Sequence, residues 1–157
     1  MRRAVTLVVL VLSSIVVATS IRAWADDSST ANLIKVVVVD FHSNEGRANC
    51  ALFGSADGFP ENSAKAIKTT SAKIENQQAL CSFSGVAPGD YAVAVFHDEN
   101  SDGKLERNFM GIPKEGVGAS NDAKGKFGPP KFDDAGFNYA GGPKILTIHI
   151  QYLIAPL

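Results

Sequence analysis

The chain has 157 residues, of which 45% are hydrophobic and 20% are charged, and its formal net charge is −1. This length suits one domain and disfavours a two-domain enzyme with a separate cofactor module. The near-neutral balance argues against a nucleic-acid binder, which normally carries a basic excess.

The first 25 residues have the features of a secretory signal peptide. Arg2 and Arg3 precede an apolar run over residues 4–18, and residues 23–25 (Ala-Trp-Ala) form a small-x-small cleavage site. Cleavage would remove three of the 15 basic residues and none of the 16 acidic ones, which leaves 132 residues with a net charge of −4. We therefore expect an exported protein, either periplasmic or extracellular.

A membrane anchor is the competing interpretation of the same run. Two serines interrupt it, and it is shorter than the ~20 apolar residues of a spanning helix. We expect no membrane span in the mature chain. Residues 26–32 are predicted to be a short linker, and residues 33–157 to form a single domain.

Alternating apolar and polar residues predict six or so short strands in this domain. No long apolar repeat with a helical period is present, and residues 63–68 have room for one helical turn at most. The first two strands are predicted to pair as a hairpin across the turn-forming residues 43–46. These features predict an all-β fold, an antiparallel β-sandwich of the immunoglobulin or prealbumin type. The predicted strands cover residues 33–41, 47–53, 67–74, 79–86, 91–96 and 144–152.

Two cysteines, Cys50 and Cys81, lie in strand-like stretches. In an exported protein they are expected to form a disulfide between strands, and two buried free thiols are the alternative. No C-x-x-C motif is present, which argues against a thiol oxidoreductase.

The segment from His97 to Pro143 differs from the rest of the chain. Its 47 residues contain 9 of the 14 glycines and 4 of the 7 prolines, with few β-branched residues. Disorder is one interpretation, but the segment keeps nine large apolar residues, more than a solvated linker would. We expect one long ordered loop that packs over an end of the sandwich.

A calcium-loop pattern, D-x-N-x-D-G, begins this segment. In such loops the oxygens of positions 1, 3 and 5 converge on the ion, and glycine at position 6 allows a sharp turn. Position 7 offers its backbone carbonyl, and position 9 a carboxylate that binds directly or through water. The candidate metal ligands are therefore Asp98, Asn100, Asp102, Lys104 and Glu106, with Ca²⁺ as the candidate ion.

The pattern departs from an EF-hand, because Phe109 stands at position 12 and a strand precedes the loop. Glu115 is a candidate for the missing carboxylate. The alternative is a metal-free turn, in which Asp98 and Asn100 accept hydrogen bonds from nearby backbone amides and Gly103 adopts a positive φ.

A catalytic interpretation would use His97 with Asp98 and Glu115 as a metal-dependent or acid/base hydrolase. Adjacent residues of a strand point to opposite faces, so His97 and Asp98 are poorly placed to act together. No recognised catalytic constellation is present, and we assign no catalytic residue. His42 and His149 stand alone in the sequence and are expected on the surface or on a sheet face.

The stretch PGDYAVAVFHDENSDGKLERNFMGIPKEGVGASN, followed by FGPPKFDDAGFNY, resembles a bacterial family known as domain of unknown function 2141. The resemblance covers residues 33–152 and implies an exported β-sandwich. It marks as family-motif residues, without assigned chemistry, His97, Asp98, Asn100, Asn108, Glu115 and Asn121. The Pro88-Gly89-x-Tyr91 start is also weakly similar to prealbumin-like modules of the carboxypeptidase regulatory type, which concerns fold alone.

Together these features favour a non-enzymatic exported binding or accessory module for an unknown ligand or envelope partner. Its recognition surface would be the region from His97 to Tyr139, because loops on a rigid sandwich commonly carry function. The hydrolase described above and a purely structural envelope protein are the two alternatives.

Overall fold

The computed structural model describes residues 32–154, and these residues form two β-sheets with little helix, which confirms the predicted β-sandwich. The predicted signal peptide and residues 26–31 of the linker lie outside the described residues. The helical elements are short: two 3₁₀ turns, Ser63–Lys65 and Ser120–Asp122, and one helix, α1 (Phe132–Ala135). The strands are β1 (Leu33–Val39), β2 (Arg47–Phe53), β3 (Lys68–Lys73), β4 (Ala79–Ser84), β5 (Gly89–Asp98), β6 (Val117–Ala119), β7 (Phe137–Tyr139) and β8 (Pro143–His149).

One sheet has the strand order β4-β1-β8, and the other has the order β3-β2-β5-β6, with β7 also paired to β5. The pairing of β1 with β8 is parallel, whereas the other strand pairs are antiparallel. Parallel pairing is possible here because the whole domain separates these two strands in sequence, which provides the long connection that it requires.

The predicted hairpin of β1 and β2 is wrong, because the two strands lie in different sheets. The connection between them turns at Asp40 (φ 67°) and at Gly46 (φ 65°), and so carries the chain from one sheet to the other. β1 and β4 bury alternate residues, and packing this apolar face against the inner face of β2 and β5 forms the core of the sandwich. The central strands β2 and β5 are also buried on their outer face.

The core lies between the sheets and is built by alternate residues of the strands, as predicted. On β5 these residues are Tyr91, Val93 and Val95, and after β8 the alternation continues through Ile150 to Tyr152. The predicted disulfide is present: Cys50 of β2 and Cys81 of β4 are buried, and their bond joins the two sheets across the core.

The segment from His97 to Pro143 is ordered, but it contains more regular structure than a single loop. Its strands β6 and β7 pair with different parts of β5, through Ala94 with Ala119 and through Tyr91 with Phe137. Three-residue strands are too short to give an alternating pattern, so the sequence did not reveal them. The longest stretch without a strand or helix is residues 99–116, here called the 99–116 loop.

In the part of the chain that the structure describes, no helix is long and apolar enough to cross a membrane.

Candidate functional site

The end of β5 places His97 and Asp98 on opposite faces of the larger sheet. His97 continues the inner row of Val93 and Val95, and it is fully buried. Asp98 follows the outer row and is 2% exposed, because the 99–116 loop covers it. Two neighbouring residues thus belong to two different polar environments, as the alternation of the strand requires.

Both nitrogens of the His97 ring have partners. Nε2 lies 2.8 Å from the backbone carbonyl of Glu45, and Nδ1 lies 2.7 Å from the Tyr152 hydroxyl. A carbonyl oxygen can only accept a hydrogen bond, so Nε2 carries the proton in the neutral ring and Nδ1 presents its lone pair. The Tyr152 hydroxyl therefore donates to Nδ1.

His42 and Glu99 complete this cluster on its solvent side. His42 Nε2 lies 3.0 Å from Glu99 Oε1, and the same carboxylate oxygen lies 3.7 Å from His97 Nδ1. The His42 ring stacks on Tyr152, with 4.1 Å between ring centroids and 7° between planes. His42, His97, Glu99 and Tyr152 are hereafter called the histidine cluster.

Sequence reasoning missed the contribution of His42, which it treated as isolated. The alternation of the strands contained part of the signal, because it places His97 and Tyr152 on the inner side. The position of His42 depends on the crossing of the β1–β2 connection, which no local pattern indicated.

The surroundings of Tyr152 disfavour its phenolate form. Burial raises the pKa of its phenol above the usual 10.0, and the charge of Glu99 adds to this, while the hydrogen bond from the His42 backbone N–H acts in the opposite direction. The hydroxyl accepts that N–H at 3.2 Å and donates to His97, which fixes its orientation.

Gly46 allows the β1–β2 connection to lie against the end of β5. A Cβ atom at this position would lie 1.9 Å from the Asp98 carbonyl oxygen and 2.6 Å from the Glu99 Cα, which leaves no room for a side chain. Its φ of 65° also favours glycine. This close approach brings the backbone carbonyl of the neighbouring Glu45 within hydrogen-bond distance of His97 Nε2.

The carboxylate of Asp98 organises the outer side. It accepts hydrogen bonds from the Asn49 side chain at 2.7 Å, from the backbone N–H of Asp102 at 3.0 Å and from that of Gly103 at 2.9 Å. Asn49, on the outer face of β2, was not predicted as part of the site. These contacts explain how a carboxylate can be buried, since its charge faces three donors.

The predicted calcium motif forms a compact turn. Asn100 Oδ1 accepts the N–H of Asp102 at 3.1 Å, Asp102 Oδ1 accepts the N–H of Lys104 at 2.8 Å, and Gly103 has a φ of 77°. The Glu106 carboxylate lies 3.4 Å from the Asn100 amide nitrogen. This turn has the hydrogen bonds of the metal-free alternative, and calcium binding stays a prediction.

Glu115 links residues 99 and 106, which begin and end the first part of the 99–116 loop. It is 6% exposed, and its two carboxylate oxygens accept the backbone N–H groups of Glu99 at 3.1 Å and of Glu106 at 3.0 Å. Burial raises the pKa of this carboxyl above 4.5, the two hydrogen bonds lower it, and the charges of Asp98 and Glu106 raise it further.

The remaining motif residues lie apart from this centre. Asn108 Oδ1 accepts the N–H groups of Met110 and Ile112 and so shapes the tip of the 99–116 loop. Asn121 has a φ of 60°, and its amide donates to the carbonyl of Gly136 at 2.8 Å, which ties the second 3₁₀ turn to the end of α1.

The three residues of the hydrolase hypothesis do not converge on one site, because Asp98 and Glu115 lie near each other on the outer side whereas the His97 ring faces the inner side. Among residues 32–154, no hydrogen bond joins His97 to Asp98 or to Glu115, and each has its own separate set of partners. The geometry does not support this trio as a catalytic unit. His149 is on the surface, paired with Asp122 at 2.9 Å.

Comparison with known proteins gives a family and no individual relative. No curated protein and no solved structure matches the chain significantly. The model of the family described as "Uncharacterized protein conserved in bacteria (DUF2141)" matches residues 36–147, well over half of the chain. This range includes His42, His97, Asp98 and Glu99, and it ends before Tyr152. The chain therefore belongs to the domain of unknown function 2141 family.

Proposed function

We propose that this protein is an extracytoplasmic binding module whose recognition surface is the 99–116 loop, with a weak calcium site in the first half of that loop. The observation that carries the proposal is the use of two buried carboxylates, Asp98 and Glu115, to hold the loop backbone through four N–H groups. A loop with a fixed shape loses little conformational entropy when it binds a partner.

The tip of the loop supports a role in recognition. Phe109 is 97% exposed and Met110 is 63% exposed, although the base of the same loop is buried. Large apolar side chains on a fixed loop over a rigid sandwich are suited to contact a partner. The disulfide supports the extracytoplasmic location, because such bonds persist in oxidising compartments.

The calcium site is supported by carboxylate lone pairs of Asp98 and Asp102 that are not used in hydrogen bonds within residues 32–154. A carboxylate offers about four lone-pair sites, of which Asp98 uses three and Asp102 uses one. Phe109 in place of the twelfth ligand predicts low affinity, with a Kd of roughly 10⁻⁴ to 10⁻³ M as in other extracellular modules.

Calorimetry with Ca²⁺ tests the metal site. We expect binding by the purified protein and at least about tenfold weaker binding by Asp102→Asn, whose side chain is exposed and keeps an oxygen to accept the Lys104 N–H. Asp57→Asn is the matched control, since Asp57 is exposed and paired with Lys65. Absence of heat at several millimolar Ca²⁺, or equal binding by Asp102→Asn, would contradict the calcium site.

Hydrogen exchange tests the recognition surface independently. The amides of Asp102, Gly103 and Glu106 should be protected without added calcium, because their acceptors are buried carboxylates. Rapid exchange at these amides would show that the loop is not preformed. Protection without calcium binding would contradict the calcium site and leave the preformed recognition loop supported.

A further inference from the structure

We propose a second metal site, which shares no ligand with the calcium motif, in which His42, His97 and Glu99 bind one divalent transition-metal ion of the zinc class. The ligand atoms are His42 Nε2, His97 Nδ1 and a carboxylate oxygen of Glu99. One ligand atom from each of these residues lies within 4.8 Å of the other two.

The spacing is close to that of a formed site. Zinc binds nitrogen at about 2.0–2.1 Å and oxygen at about 2.0–2.2 Å, so two ligands of a tetrahedral ion are separated by roughly 3.3–3.5 Å. The distances of 3.0 Å and 3.7 Å from Glu99 Oε1 to the two histidine nitrogens lie on either side of that value. Binding an ion requires side-chain rotations that bring the three ligand atoms to this spacing and move the Tyr152 hydroxyl away from Nδ1.

The buried histidine is prepared for coordination. A metal-binding histidine usually donates its second N–H to a carbonyl or carboxylate, which fixes the ring and its tautomer. His97 meets this requirement through the Glu45 carbonyl, 2.8 Å from Nε2. The lone pair of Nδ1 accepts the Tyr152 hydroxyl 2.7 Å away, and Glu99 Oε1 lies 3.7 Å from the same nitrogen, so an ion that binds Nδ1 takes the place of this hydrogen bond.

Access and ligand chemistry agree with this assignment. His97 is buried, whereas the side chains of His42 and Glu99 are 32% and 34% exposed, so an ion can enter from solvent on their side. Two imidazoles and one carboxylate suit zinc and its neighbours, while Ca²⁺ prefers six to eight oxygens. Three protein ligands leave a fourth position for water or for a group supplied by a partner.

Calorimetry with Zn²⁺ on the purified, chelator-treated protein tests the proposal. We expect one ion per chain, and binding weakened by about 100-fold or more in His42→Gln and in Glu99→Gln, because removing even an outer-shell partner weakens such sites 10- to 100-fold. Both residues are partly exposed, so these variants avoid the buried His97. Circular dichroism of each variant confirms that it is folded.

The matched control is His149→Gln, which removes a histidine from an exposed histidine–carboxylate pair outside the cluster. It should bind Zn²⁺ as the unmodified protein does, and so should Asp102→Asn, which alters only the calcium motif. Millimolar Ca²⁺ should not displace the zinc. The proposal would be overturned by absence of binding at 1 mM Zn²⁺, by undiminished binding in His42→Gln and Glu99→Gln, or by an equal loss in His149→Gln.

Discussion

The two sides of the end of β5 use polar residues in opposite ways. On the outer side, the carboxylate oxygens of Asp98 and Glu115 accept hydrogen bonds from backbone N–H groups and so fix the conformation of the 99–116 loop. On the inner side, the histidine cluster consists of side chains that contact one another, and the lone pair of His97 Nδ1 accepts a hydrogen bond from a side chain, the Tyr152 hydroxyl. The two sides therefore differ in the atoms that they offer: the outer side presents oxygens of a loop, which suit Ca²⁺, whereas the inner side presents two imidazoles and a carboxylate, which suit a transition metal.

This comparison requires that the two sides can be disrupted separately. Loss of the disulfide would set the scale of a global change, against which a local change on either side can be judged.

Removal of the disulfide should destabilise the whole domain and should affect the outer and inner sides of the end of β5 equally. The bond closes a loop of 31 residues and is buried in the core between the sheets, so Cys50→Ala with Cys81→Ala should lower the free energy of unfolding by about 3–4 kcal/mol. Denaturant unfolding measures this loss, and reduction of the unmodified protein should reproduce it. A loss below about 1 kcal/mol would mean that the bond does not constrain the unfolded chain as expected.

Asp98→Ala should act on the outer side alone. It removes a buried acceptor from three donors, some of which will reach water after the loop relaxes, and we expect a loss of about 2–3 kcal/mol. Asp98→Asn keeps one oxygen and should lose less. Zinc binding by Asp98→Ala should stay within about threefold of the unmodified protein, and a parallel loss would show that the two sides are not independent.

Glu115→Gln should lower stability by about 1 kcal/mol at neutral pH, because one of two backbone N–H groups would face an amide nitrogen. The pKa of Glu115 is raised in the folded protein, so the folded state takes up this proton at higher pH than the unfolded state does. The unmodified protein therefore gains stability relative to the variant as pH falls through the raised pKa, until the unfolded chain is also protonated near pH 4.5.

Unfolding curves of both proteins between pH 7 and pH 4, recorded with chelator present, measure this difference. A constant difference over that range would contradict burial as the dominant influence on this carboxyl.

Phe109→Ser should change stability by less than about 0.5 kcal/mol, since the ring is 97% exposed. Phe53→Ala is the matched contrast, because Phe53 is fully buried and its truncation should cost about 3–5 kcal/mol. Thermal or denaturant unfolding compares the two. A large loss in Phe109→Ser would mean that the loop tip packs on the domain and is not presented to a partner.

Local patterns were sufficient for much of the fold. The alternation in residues 47–53 and 91–96 gave the strands and their inner faces, and the two cysteines gave the bridge between sheets. The sequence also placed His97 and Asp98 on opposite faces. In each case the information lies in neighbouring residues, because the period of a strand is two.

Contacts between distant residues were not predictable in this way. The position of His42 beside His97 and Glu99 depends on the path between the sheets, and that of Asn49 beside Asp98 depends on the pairing of β2 with β5. The three-residue strands β6 and β7 are held by their pairing with β5, which leaves no periodic signal. Such features follow from strand order, and a single sequence contains little information about strand order.

Gly46 provides a criterion for sorting members of the family. A Cβ atom at this position would meet the Asp98 carbonyl at 1.9 Å, so a homologue with any larger residue there must route the β1–β2 connection differently. That homologue would lack the carbonyl that orients His97, even if it keeps both histidines. Family members that can bind a transition metal as proposed here should therefore have glycine at the position of Gly46. They should also have the counterparts of the three ligands, His42, His97 and Glu99.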